Sequence, residues 1–135
     1  MIGALDATLR SQAVLNYNVS DLVLGPGQDG RTIQPEGLKA SAMSPAQQSM
    51  LLELVREWAG IAADALAAER MEQIRANLPQ TYFAWSGPVT PGSVAYFRIQ
   101  GPTVVIEYAP QRNVDHIHTI YRDPTNDYGA GFARQ

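Results

Sequence analysis

The sequence predicts an α+β fold, an antiparallel β-meander of about four strands with amphipathic helices packed on one face. Up to about residue 76, apolar residues recur at helical spacing; from Thr81 onward, short runs of β-formers alternate with turn residues. The composition, 135 residues with 45% hydrophobic and 17% charged, fits a single domain over residues 1–135. A chain of this length buries about two-thirds of its extended surface, enough for a core.

From Ala4 to about Leu15, the spacing of Leu5, Leu9 and Ala13 predicts a short amphipathic helix. Asp21-Leu22-Val23-Leu24 reads as a short strand, and residues 25–42 as a loop-rich segment, because Gly25-Pro26-Gly27-Gln28-Asp29-Gly30 is too dense in Gly and Pro for regular structure. Ser44-Pro45-Ala46-Gln47 is a helix start: the Ser44 hydroxyl suits the N3 amide, Pro45 suits the first helical position, and Gln47 completes a capping box. Leu51, Leu54, Val55, Trp58 and Ile61 form one stripe, and helix is expected to about Ala76, in two pieces about Gly60. Beyond Pro79, strands are expected at Thr81–Trp85, Val94–Gln100, Thr103–Tyr108 and Asp115–Tyr121.

A Gly101-Pro102 hairpin loop would set Arg98 opposite Val105 and Tyr96 opposite Glu107. The pleat then puts Phe97, Ile99, Val104, Ile106 and Tyr108 on an apolar side, with Tyr96, Arg98, Gln100, Val105 and Glu107 on the other. A four-residue loop at 110–113 would oppose Glu107 with His116 and Val105 with His118.

Residues two apart on a strand share a face, so His116 and His118, the two histidines of the chain, can converge on one ion. With Glu107 they make two nitrogens and a carboxylate, a metal set suited to zinc, copper or iron with positions open for water or substrate. Arg98 and Arg122 are candidate substrate-binding residues, since a guanidinium forks onto a carboxylate or phosphate, and Tyr96 is a candidate to orient such a small anionic ligand. The bland alternative is that these side chains pair with one another and pack.

Other chemistries are disfavoured. A net charge of -3 with one Lys and nine scattered Arg does not suit a nucleic-acid partner. The absence of Cys removes thiolate chemistry and disulfides. Gly25-Pro26-Gly27-Gln28-Asp29-Gly30 satisfies G-x-G-x-x-G, but the residues after it do not open a helix, so no nucleotide cofactor is expected. Asp123-Pro124-Thr125-Asn126-Asp127 resembles the opening of a calcium loop but has Tyr128 where that loop needs Gly, and reads better as a turn held by its Asp and Asn side chains. No apolar run reaches 18 residues and no signal peptide is visible, so the chain reads as soluble with no membrane partner and its localisation open.

Tyr82-Phe83-Ala84-Trp85-Ser86-Gly87, Tyr96-Phe97-Arg98-Ile99-Gln100-Gly101-Pro102, Ile106-Glu107 and the string from His116 to Gly129 resemble the C-terminal part of a bacterial family known as domain of unknown function 3500. The resemblance extends back through Glu36-Gly37-Leu38 and Ser44; the ending, residues 131–135, departs from it. It implies no transferable activity. It implies that this chain corresponds to the latter portion of longer proteins whose preceding region carries more histidines. Two functions follow as expectations: a metal-dependent enzyme domain or fragment built on His116, His118 and Glu107, or a non-catalytic binding or assembly module. The second would present Tyr82, Trp85 or Tyr96 to another copy or to a missing N-terminal region.

Overall fold

The computed structural model describes residues 1–127. The final residues of the string resembling the family, Tyr128 and Gly129, and the divergent ending at 131–135 lie outside them. The elements are α1 (Ala7–Ala13), β1 (Leu38–Lys39), α2 (Pro45–Ala59), α3 (Asp64–Ala76), β2 (Tyr82–Ser86), β3 (Tyr96–Gly101), β4 (Val104–Pro110) and β5 (Ile117–Arg122). The strands form one antiparallel meander in the order β1-β2-β3-β4-β5, so the expected α+β architecture holds with a fifth, two-residue strand added. No helix among the described residues is long and apolar enough to cross a membrane.

The Ser44 start forms as expected, with Ser44 Oγ accepting the Gln47 amide and Gln47 Oε1 accepting the Ser44 amide. The helical stretch divides after Gly60 into α2 and α3. Their inner stripes, including Leu51, Val55, Met71 and Ile74, pack on one sheet face against Phe83, Phe97, Ile99, Val104 and Ile106. Phe97 stacks on Trp85 and Tyr108 at 6.4 and 5.2 Å between ring centroids, and Trp58 meets it edge-on at 5.7 Å. The chain leaving α1 covers part of the outer edge of β2, where the Leu15 amide donates to the Trp85 carbonyl at 2.8 Å. Gly37 then leads into β1 at φ +92°, with its backbone so close to β2 that a Cβ would lie 2.3 Å from the Phe83 carbonyl oxygen.

Two registers differ from expectation, both by even steps. In the β3–β4 hairpin Gly101 pairs with Val104, so the loop is Pro102-Thr103 and Arg98 faces Glu107 instead of Val105. In the β4–β5 hairpin Pro110 pairs with Ile117, and the turn spans the six residues 111–116 instead of four. The Gln111 amide closes it on the His116 carbonyl at 2.7 Å, Arg112 turns it at φ 63°, and Asn113 Oδ1 accepts the Asp115 and His116 amides. An even slip preserves every side-chain face but moves each residue along the strand. Ile120, not His116, therefore opposes Glu107, and His118 opposes Ala109.

The largest departure concerns the second sheet face. Alternating polar residues predict a wet surface, yet β3 is buried throughout and β4 nearly so, because the segment 15–37 lies across that face. Asp21–Leu24 is part of this cover and not a strand: the Val23 and Leu24 amides find their acceptor in a side chain.

Candidate functional site

The polar sheet face binds the covering segment almost residue by residue. Backbone without regular structure must find hydrogen-bond partners once it is buried. Here the sheet side chains supply them. Ser86 Oγ accepts the Val19 amide and donates to the Tyr17 carbonyl, both at 3.0 Å. Gln100 Nε2 donates to the Ile33 carbonyl at 2.6 Å. Arg122 donates to the carbonyls of Leu24 at 2.9 Å and Arg31 at 3.2 Å, and pairs with Asp127, whose other donor is the Gly30 amide at 2.6 Å. The Arg122 bonds hold the Asp127 carboxyl below the usual carboxylate range against the opposing pull of burial.

At the centre stands Glu107, fully buried. Its Oε1 accepts the Val23 amide at 2.9 Å and the Tyr96 hydroxyl, and its Oε2 accepts the Leu24 amide at 2.7 Å. Arg98, also buried, donates to the Tyr96 hydroxyl at 3.1 Å and to Glu36 at 2.7 Å, and Tyr17 donates to the same Glu36 oxygen at 2.6 Å. Burial first, and then the neighbouring carboxylate, push the Tyr96 phenol far above its ordinary value, so it stays protonated and acts as a donor. The structure thus brings Tyr96, Arg98 and Glu107 together, as the alternation predicts, but beneath the covering segment. Tyr96 does not present the exposed aromatic surface that a docking strand would need.

His116 and His118 lie elsewhere, at the start of β5. The longer turn carries them away from Glu107, and their rings meet each other at 5.0 Å between centroids and 81° between planes. His118 Nδ1 lies 2.8 Å from Asp21 Oδ1. That contact, then the Leu22 amide, keeps the Asp21 carboxyl below its usual range. Among the described residues no group of three His, Cys, Asp or Glu side chains is placed to hold a metal ion, so the His116–His118–Glu107 triad does not assemble.

His118 and Asp21 border a groove of about 670 Å³ between residues 21–28 and the edge of β5. Its walls include Leu22, Val23, Pro26, Ile117 and Ile120, a size and lining suited to a small or extended ligand. Asp21 and Glu36 are the partners that sequence reasoning missed. They lie 97 residues from His118 and 62 residues from Arg98, and no local spacing links them.

The family model described as Protein of unknown function (DUF3500) matches residues 1–130. No curated protein and no solved structure matches the chain.

Proposed function

The chain belongs to the DUF3500 family, a family of unknown function, and from the geometry of its own residues we propose that it is a metal-dependent domain in which His116 and His118 hold a divalent ion at the mouth of the β5 groove. The carrying observation is the imidazole pair itself. Two rings bound to one tetrahedral zinc, with metal–nitrogen bonds of ~2.1 Å, have centroids ~5 Å apart, and these two rings stand at 5.0 Å. Asp21 on Nδ1 of His118 fixes the ring and leaves Nε2 to coordinate, the usual carboxylate–histidine arrangement behind a metal ligand. Two protein ligands leave open positions for water and substrate. A bound zinc, copper or iron would supply Lewis acidity or redox chemistry there.

Glu107 has no part in this reading, because both of its oxygens already accept hydrogen bonds inside the fold. Arg98, Tyr96 and Arg122 serve it only by holding the covering segment that carries Asp21. Elemental analysis and calorimetric titration with zinc, copper(II) and iron(II) test the proposal. We expect one ion per chain, lost in His116→Ala and His118→Ala, with affinity reduced about 10- to 100-fold in Asp21→Asn. Wild-type affinity no greater than that of the double alanine variant would end it.

A further inference from the structure

We propose that the outer edge of β5 is a docking strip on which an extended, basic peptide segment adds as a sixth strand. The inference goes beyond the metal reading and needs no bound ion. β5 ends the sheet order, so among the described residues one of its edges has no neighbouring strand. The Gln111–His116 bond fixes which main-chain groups point outward: in an antiparallel ladder these alternate, so His116, His118, Ile120 and Arg122 turn toward β4. Ile117, Thr119 and Tyr121 turn their N–H and C=O groups away from the sheet, and no main-chain bond is made there by another described segment. Amide groups recurring every second residue, ~6.8 Å apart, match another polypeptide in extended form.

Natural edge strands usually carry a proline, an outward lysine or a bulge that discourages pairing. Ile117–Arg122 has no proline or lysine and pairs with β4 without a bulge, and Arg122 points inward to the carbonyls of Leu24 and Arg31. Ile117 is 39% exposed at the open end and Val23 is 39% exposed across the groove. The side chains of an added strand would project alternately to the two sheet faces, one set beside Ile117 on the helix side and the other along Val23 on the covered side. The charge of the occupant follows from the lining: among the described residues Asp21 is the carboxylate that borders it and no lysine or arginine does, so a basic residue near Asp21 is favoured over an acidic one.

The test uses the full chain in EDTA, so that its failure is independent of metal binding. The probes are a fluorescein-labelled Lys-Val-Thr-Val-Thr-Val amide, the same peptide N-methylated at alternate residues, and its Glu-for-Lys analogue. Fluorescence anisotropy is expected to show saturable binding of the first and a loss of about tenfold or more for each of the others. Ile117→Pro deletes one outward N–H at a strand start, where proline is tolerated, and is expected to weaken binding by a similar factor. Amide exchange at Ile117 and Thr119 should slow when the lysine peptide is added. The proposal is overturned if N-methylation changes nothing or if these amides exchange at the same rate with peptide present. Protection that grows with protein concentration in the absence of peptide would assign the edge to a second copy instead. Should Ile117→Pro unfold, the N-methylated peptide decides the matter without any change to the protein.

Discussion

Glu107→Ala should release the covering segment from the sheet. The substitution strands three donors at once, the amides of Val23 and Leu24 and the hydroxyl of Tyr96. Each buried donor left without an acceptor costs ~1–3 kcal/mol; the Leu24 amide and Tyr96 hydroxyl are buried, the Val23 amide is only partly so and regains water more readily, and the expected loss is about 4 kcal/mol. For a domain of this size that corresponds to a melting temperature lower by roughly 15 °C. Glu107→Gln keeps one acceptor oxygen but turns an NH2 group toward a donor, and should cost about 2 kcal/mol. Chemical denaturation measures the loss, and hydrogen exchange locates it. The Val23 and Leu24 amides should lose protection before those of the β3–β4 ladder, because the helix-side core is untouched. A loss under about 1 kcal/mol, or unchanged exchange at these two amides, would refute the reasoning that Glu107 acts as the acceptor for the covering segment.

Two further outcomes follow from the same architecture. Gly37→Ala should cost about 3 kcal/mol or more in urea unfolding, because its Cβ would collide with the Phe83 carbonyl at φ +92°, whereas Gly27→Ala, at φ +83° in open space, should cost only about 1 kcal/mol; equal losses would mean that the close approach to β2 is unimportant. Asp127 has a carboxyl pKa depressed in the fold by Arg122, so its contribution is present above the unfolded-state value and is lost as pH falls through the folded one. Asp127→Asn should therefore narrow its stability deficit below about pH 4, and a deficit that does not shrink on acidification would count against the pair.

The helix-side half of the molecule was readable because its information is local. The capping box at Ser44, the apolar stripe of α2 and the alternation in β3 and β4 each specify an element within a few residues, and the structure reproduces them. Face assignments survived as well, since both register errors were even. The position of the histidines did not survive, because it depended on the length of one turn, where Asn113 and a left-handed Arg112 add two residues that composition does not announce.

By itself, the sequence determined the α+β meander, the side of each strand that meets the helices, and the adjacency of His116 and His118 at the start of β5. Only the tertiary structure decided what the polar face is for. Tyr96, Arg98, Gln100, Glu107 and Arg122 read as a reactive surface, yet each is bound to a segment between 60 and 100 residues away or to a neighbour that is. Local pattern records that a residue is polar; whether water, a ligand or the backbone of a distant loop satisfies it depends on what the rest of the chain lays across it.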